Sequence, residues 1–154
     1  MSQQPIQSDA LGALRVQIDA LDKQLLSLLN QRAHVAEQVG EIKRAEGSPF
    51  FRPDRVAQVI DKITNANPGP LKNEHIASIW REIMSACRAH EEPLKVGYLG
   101  PEGTFTQSAV FKHFGHSVGA LPLATIEDVF HEVENGAARF GVVPIENSNA
   151  GMVN

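Results

Sequence analysis

Residues 8–46 place an apolar residue at alternating steps of three and four, and this pattern constrains the fold more than any other feature of the chain. Such heptad spacing is typical of one long helix with a narrow apolar stripe. Ser8 suits the start of the helix and Gly47 its end, while Gly40 costs roughly 1 kcal/mol relative to alanine. The stripe consists of Leu11, Leu14, Ile18, Leu21, Leu25, Leu28, Val35, Val39 and Ile42, with Arg32 filling one position.

The length of this helix predicts a dimer. The helix extends about 58 Å, whereas a compact domain of roughly ninety residues has a radius of gyration of about 12 Å. One chain of that size cannot cover the whole stripe. We therefore expect the helix to pair with a copy of itself in an intertwined homodimer.

Three basic residues of the helix suggest an anion site. Arg32 and Lys43 share one face about 16 Å apart, because eleven residues make nearly three turns, and they leave room for a small anion. Arg15 lies on a different face and roughly 25 Å from Arg32 along the helix. It can reach that site only from an antiparallel partner helix. The alternative for Arg32 is a snorkelling or ion-paired arginine within a coiled coil.

Two shorter helices complete an all-helical N-terminal part. Pro53 is well placed as the first residue of a second helix, which extends to about Asn65. The sequence Asn-Pro-Gly-Pro at residues 67–70 breaks the chain before a third helix at about residues 73–91. The predicted buried positions are Val56, Val59, Ile60 and Ile63 in the second helix, and Ile76, Ile79, Trp80, Ile83 and Cys87 in the third, with Met84 beside them and Glu91 as the next step.

The pattern changes at Pro93 to alternating strands and helices. Strands are predicted at residues 95–99, 117–123 and 139–145, with helices at residues 106–114 and 125–135 between them, the second capped by Thr125. This order is typical of parallel βαβ units. The fold class is therefore an all-α N-terminal domain of three helices, residues 1–92, followed by the start of an α/β domain with a βαβαβ parallel sheet, residues 93–154. An open parallel sheet usually has both faces covered, so we expect the second domain to be incomplete and the chain to be the beginning of a longer protein.

Composition excludes several classes of protein. The 154 residues are 42% hydrophobic and 21% charged, as in globular proteins. We expect no membrane span, since no apolar run approaches about 18 residues, and no secretory signal, since the N-terminus lacks an apolar core. The net charge of −4 argues against nucleic acid, and a single cysteine, Cys87, favours a reducing cytoplasm.

The cations are concentrated in the helical part, where they could serve an anionic small molecule. Residues 1–92 hold eleven Lys and Arg against twelve Asp and Glu, whereas residues 93–154 hold three against six. We expect no metal site, because the six histidines show no ligand spacing and suit surface positions. Cys87 suits a buried, inert thiol better than a nucleophile.

Two further segments each allow two interpretations. The glycine-rich residues 100–105 follow a predicted strand and precede a helix, so they could hold an anion at the helix start or simply form a tight turn. Residues 144–148 follow the third strand, where parallel sheets bind ligands, but Asn147 and Ser148 also favour ordinary loops.

Several short motifs carry a resemblance to known families. In the helical part they are Leu14-Arg15, Ile18-Asp19-Ala20-Leu21-Asp22, Leu25-Leu26-Ser27-Leu28-Leu29-Asn30-Gln31-Arg32, Gly40-Glu41-Ile42-Lys43 and Phe51-Arg52-Pro53-Asp54-Arg55, and in the second part Gly-Pro-Glu-Gly-Thr-Phe and Val-Pro-Ile-Glu-Asn-Ser. Through these motifs, residues 8–92 resemble the all-helical chorismate mutase family, and residues 95–154 resemble the opening of prephenate dehydratase. Their order resembles that of the bifunctional enzymes of phenylalanine biosynthesis.

The resemblance implies a role for each matching residue. Arg15 would enter the site of the partner subunit, Arg32 and Arg55 would bind substrate carboxylates, and Lys43 and Glu91 would contact the ether oxygen of the breaking bond. Cys87 stands where some members carry serine. Val56 replaces a glutamate that holds the substrate hydroxyl in many members. Asn147 and Ser148 would lie at the wall of a dehydratase cleft.

The expected activity is the rearrangement of chorismate, a dianion, to prephenate, with no cofactor. Prephenate dehydratase activity, a lyase reaction on prephenate, is expected of the full-length family and not of this chain. The alternative is a non-catalytic helical dimerisation or regulatory module fused to a fragment of a ligand-binding domain, and Val56 is the feature that favours it.

Overall fold

The computed structural model of the chain describes residues 5–49, 51–147 and 151–152. Its first half consists of three helices: α1 (Pro5–Glu46), α2 (Pro53–Asn65) and α3 (Asn73–Glu91). These confirm the predicted helical region, although α1 begins three residues before the predicted start. α1 and α2 both pack against α3, which therefore forms the centre of the helical region.

The apolar stripe of α1 is largely uncovered within one chain. The large apolar side chains of α1, in the stripe and outside it, are between 40% and 67% exposed. Such a long row of exposed Leu, Ile and Val is unusual for a surface helix. The exposed residues are Leu11, Leu14, Val16, Ile18, Leu21, Leu25, Leu26, Leu28, Leu29, Val35, Val39 and Ile42.

The second half is an α/β region with three parallel strands in the order β2-β1-β3. Its elements are β1 (Lys95–Leu99), α4 (Phe105–Phe114), β2 (Gly119–Leu123), α5 (Ile126–Glu134) and β3 (Phe140–Val142). Val96 of β1 is paired with Ala120 on one side and Phe140 on the other. The predicted βαβαβ order is confirmed.

The largest difference from the predicted elements lies after the third strand. That strand was expected over residues 139–145, but β3 ends at Val142, two residues before Pro144, which has no N–H to donate to a neighbouring strand. A short antiparallel pair then follows, β4 (Glu146–Asn147) and β5 (Gly151–Met152), which the sequence did not predict.

Side-chain caps explain where α4 and α5 begin. The Thr125 hydroxyl accepts a hydrogen bond from Asp128 N at 3.0 Å, while the Asp128 carboxylate accepts one from Thr125 N at 3.1 Å. This reciprocal pair is a capping box, and it confirms the predicted cap. At α4, Thr104 caps the helix and Gly103 N donates to the Gln107 side chain at 2.7 Å.

The helical and α/β regions are joined by a shared aromatic cluster, formed by Phe51, Phe114 and Phe140. The Phe51 ring is buried and lies 5.2 Å, centroid to centroid, from both other rings. Phe51 precedes α2, whereas its two partners belong to α4 and β3. The core of the α/β region therefore includes a residue of the helical region.

Polar contacts continue this junction along α3. Ser117 N donates to the buried Ser85 hydroxyl at 3.3 Å, and His116 N donates to the Glu82 carboxylate at 3.0 Å. Gly115 packs against Ser85 and has a φ of +83°. A Cβ at this position would lie 2.6 Å from Ser85 Oγ. Within the described ranges, no helix has the length and apolar character to cross a membrane.

Candidate active site

A cleft of about 370 Å³ lies between α1, α2 and α3. Its volume is within the range of small-molecule sites. Five cations and one carboxyl group line it together with apolar side chains. The lining residues are Arg32, Val35, Ala36, Val39, Lys43, Arg52, Arg55, Val56, Val59, Met84, Cys87, Arg88 and Glu91.

The C-terminal half of α1 supplies one wall of the cleft. Arg32 and Lys43 both line it, half-buried, three turns apart on the helix face predicted to carry them. Arg32 Nη1 donates to the Cys87 sulfur at 3.3 Å, which ties the guanidinium to α3. Arg32 is therefore directed into the cleft, and the arrangement has room for an anion between the two cations.

The start of α2 adds two more arginines. Pro53 at the first turn fixes the beginning of the helix, so that Arg52 and Arg55 flank it at the cleft. Arg52 forms an ion pair with Asp54 at 2.7 Å, and its hydrogen bond is the main cause that holds the pKa of Asp54 below its ordinary value. Both partners are more than half exposed, so the pair orients Arg52 without adding much stability.

Glu91 closes the cleft from the last turn of α3. Its carboxylate packs against the backbone of α1 at Gly40, where a Cβ would lie 2.8 Å from Glu91 Oε2. Gly40 is buried, and its missing side chain is what allows this approach. Burial raises the pKa of Glu91 above its ordinary value, and the nearby charges of Lys43, Arg88, Arg32 and His90 oppose this only in part.

Arg88 lies one turn before Glu91 and was not predicted as a site residue. It lines the cleft, but its Nη2 donates to the carbonyl oxygen of Phe114 at 2.8 Å. Its guanidinium carbon also lies 4.6 Å from the centroid of the Phe51 ring, a cation–π distance. Arg88 thus belongs both to the cleft and to the junction with the α/β region.

The other predicted residues lie at several places. The cleft is lined by Arg55, Cys87 and Val56, the last of which replaces the glutamate of many family members. Cys87 is buried, as expected of an inert thiol. Arg15 is exposed on α1 and is not among the residues lining the cleft of its own chain. The backbone of Asn147 belongs to β4, and Ser148 lies outside the described residues.

Sequence analysis missed Arg52, Arg88 and the role of Gly40. Arg52 belongs to the motif at residues 51–55, and its position beside Pro53 could have indicated that it lies at the cleft. Arg88 could have been suspected from its spacing of three from Glu91, which places both on one helix face. Across the described ranges, no group of three or more His, Cys, Asp or Glu is arranged to hold a metal ion.

A family model, chorismate mutase type II, matches residues 14–92, which contain every residue of this cleft. The chain belongs to the type II chorismate mutase family. Behind this chorismate mutase region, a prephenate dehydratase family model matches residues 96–154. The two matches favour the enzymatic interpretation over a non-catalytic helical module.

Curated relatives combine the same two parts. A bifunctional chorismate mutase/prephenate dehydratase from Stutzerimonas stutzeri is 53% identical over 153 residues, which cover 96% of this chain and 42% of the relative. One from Escherichia coli K12 is 30% identical over 162 residues, covering 94% of this chain and 42% of the relative. The chain thus spans about 42% of the length of these bacterial relatives.

A solved structure shares the chorismate mutase part of the fold. A chorismate mutase from Thermus thermophilus superposes with a TM-score of 0.53 at 30% sequence identity. The match covers 94% of that chain and 54% of this one, as expected if only the helical region corresponds.

Proposed function

We propose that this chain is a chorismate mutase that rearranges chorismate to prephenate in the cleft between α1, α2 and α3. The observation that carries the proposal is the charge of the cleft, where five cations face a single carboxyl group. Arg32 and Arg55 are the residues that we assign to the substrate's carboxylates, together with Arg15 of a second chain. Cys87 holds Arg32 in place.

The reaction needs position and charge, without a covalent intermediate. The ether C–O bond breaks as a new C–C bond forms, and six electrons move around one ring while every proton stays in place. Arginine–carboxylate pairs can hold the dianion in the compact shape that this ring requires, which removes much of the entropic barrier.

Lys43 and Glu91 are assigned to the ether oxygen. Negative charge grows on this oxygen as the C–O bond lengthens, so donors placed there bind the transition state more strongly than the substrate. Lys43 supplies a positive charge from α1. Glu91 can donate a hydrogen bond only when protonated, and the raised pKa of its half-buried carboxyl group favours that form.

We further propose that the active protein is a homodimer. The exposed stripe of α1 from Leu11 to Leu28 forms a surface that a second α1 could cover. An antiparallel partner would also bring its Arg15 toward the cleft that Arg15 does not reach in its own chain. Sedimentation at micromolar concentration should give a dimer, and a monomer would contradict the proposal.

A mutase assay on the purified chain tests the proposed activity directly. Consumption of chorismate with equal formation of prephenate is expected, and Lys43→Ala should lose most of the rate because the charge at the ether oxygen is gone. Wild-type protein that is folded and dimeric but inactive would favour the non-catalytic dimerisation module instead.

The remaining assignments are proposals of the same kind. We place the chorismate mutase domain at residues 1–92 and part of a prephenate dehydratase domain at residues 93–154, in a cytoplasmic protein. The three-strand sheet offers at most one wall of a dehydratase cleft, with Asn147 and Ser148 assigned to it. Prephenate should therefore yield no phenylpyruvate above the acid-catalysed background, and an enzymatic rate above it would refute this.

A further inference from the structure

We propose that Arg88 is a positioning residue of the cleft: the α/β region anchors its guanidinium and so keeps this charge from pairing with Glu91. The inference rests on the proposed mutase function, because it concerns the proton that Glu91 holds. It gives the junction between the two regions a direct effect on the chemistry of the helical region.

The anchoring rests on two contacts from different elements. The Phe114 carbonyl, at the C-terminal end of α4, accepts a hydrogen bond from Arg88, and the Phe51 ring lies against the guanidinium. Phe51 is itself fixed by the buried aromatic cluster. The charge of Arg88 is therefore held toward the α/β region, although its side chain still lines the cleft.

If the junction is loosened, the guanidinium of Arg88 can pair with Glu91 instead. Arg88 and Glu91 are three residues apart on α3, a spacing at which side chains meet and ion pairs form. An ion pair favours the ionised carboxylate, which has no proton to donate to the ether oxygen. Loosening the junction should therefore reduce mutase activity at neutral and alkaline pH, even though neither Phe51 nor Phe114 lines the cleft.

Other basic side chains also surround Glu91. They come from α1 (Arg32 and Lys43), from the start of α2 (Arg52 and Arg55) and from α3 (His90, whose Nε2 lies 4.0 Å from Glu37 Oε2). A change at Phe51 can then be assigned to Arg88 if it disappears when Arg88 is absent.

The test is a double-mutant cycle in the full chain, read by carbon NMR titration of the Glu91 carboxyl group. Phe51→Leu should move the titration to lower pH, because the freed guanidinium approaches the carboxylate. Arg88→Met should move it to higher pH, because the charge is removed. In the Arg88→Met background, Phe51→Leu should have no further effect, whereas an equal shift in both backgrounds would overturn the proposal.

Mutase activity provides a second measurement of the same effect. At pH 8, Phe51→Leu should lower mutase kcat/KM roughly three- to tenfold, the effect of one charge moving a few ångströms at a half-buried site. In the Arg88→Met background, Phe51→Leu should leave kcat/KM at pH 8 unchanged. An inactive wild type whose titrations shift as expected would refute the mutase function and support the anchoring of Arg88.

Matched variants separate anchoring from general loosening. Val129→Ala removes buried apolar volume from α5 without removing any of the rings that contact Phe51, so it should leave the Glu91 titration unchanged. A shift equal to that of Phe51→Leu would contradict the proposal. If Phe51→Leu does not fold, Phe51→Met, which fills more of the ring's volume, serves in the same cycle.

Discussion

At the scale of single residues, Glu91 is a carboxyl group whose surroundings act in opposite directions. Burial raises its pKa, and the neighbouring side chains of Lys43, Arg88, Arg32 and His90 lower it by less. The protonated form is the useful one if Glu91 donates to the ether oxygen. Activity should then be highest below the pKa of Glu91 and fall as the pH rises through it.

Glu91→Gln tests this assignment. Wild-type mutase activity should decline as the pH rises from about 5 to about 8, because Glu91 loses its proton at a higher pH than an ordinary carboxyl group. The glutamine variant keeps a neutral donor at every pH, so its profile should be flatter and its activity near pH 8 at least equal to wild type. A flat wild-type profile, or the same slope in both proteins, would indicate that Glu91 has no role in the reaction and only ends the helix.

Gly40 offers a second test, in which stability and activity should change in opposite directions. Gly40→Ala should raise the stability of α1 by up to about 1 kcal/mol, the difference in helix propensity. The new methyl group would occupy the position 2.8 Å from Glu91 Oε2, so the carboxylate must turn away and activity should fall. Urea unfolding and the mutase assay measure the two effects. Gly12→Ala, with nothing within 4 Å, is the control that should leave activity unchanged.

At the scale of elements, α1 has two different tasks along its length. Its C-terminal half lines the cleft of its own chain with Arg32 and Lys43, while its N-terminal half presents exposed leucines and Arg15. The proposed dimer joins the halves of two chains at each site. Each cleft would then depend on both copies of α1.

Mixing inactive variants tests this sharing. Arg15→Ala and Arg32→Ala should each be nearly inactive, but in a mixed dimer one site receives both intact arginines. Equal amounts with free exchange should recover roughly a quarter of wild-type activity, since half of the dimers are mixed and one of their two sites is intact. Arg32→Ala mixed with Lys43→Ala is the control: both defects lie in the same chain's cleft, so no site is restored. Equal recovery in both mixtures would argue against a shared site.

At the scale of the whole molecule, the helical and α/β regions are packed together through α3. Gly115 ends α4 with φ +83° and ψ 173°, backbone angles that only glycine adopts readily, and leaves space that Ser85 occupies. This contact lies beside the hydrogen bonds of Ser85 and Glu82 with the following segment. Stability of the α/β region should therefore depend on the surface of α3.

Gly115→Ala should destabilise the chain by a few kcal/mol, because alanine there combines an unfavourable φ with a clash against Ser85. Gly136→Ala is a matched control, with φ +80° and nothing within 4 Å, and should cost only about 1 kcal/mol for the backbone. Denaturant unfolding of both variants gives the comparison. Equal losses would show that the contact with Ser85 contributes nothing.

Local signals in the sequence predicted most of the elements. The spacing of apolar residues predicted α1, Pro53 predicted the start of α2, and Thr125 predicted the cap of α5, because each of these features acts within a few residues. The spacing of Arg32 and Lys43 along one helix likewise placed both on the cleft. The short pair β4–β5 was missed because two-residue strands carry no periodicity.

The junction could not be predicted from such signals. Arg88 finds its partners at Phe51 and Phe114, which lie far from it along the chain and in different elements. The sequence showed only that Gly40 lowers the helix propensity of α1. Its role in the cleft depends on Glu91, which approaches it from another helix. Contacts of this kind depend on how whole helices and strands pack together, and the spacing of residues in the sequence does not predict that packing.

The shared aromatic cluster has a consequence for how this chain can change over generations. Two enzymes joined by a loose linker can accumulate substitutions independently. Here Phe51 of the helical region lies in the core of the α/β region, and Arg88 of the cleft is held by Phe114. A substitution at either aromatic residue alters the neighbour of an arginine in the cleft, so selection on one region acts on the other as well.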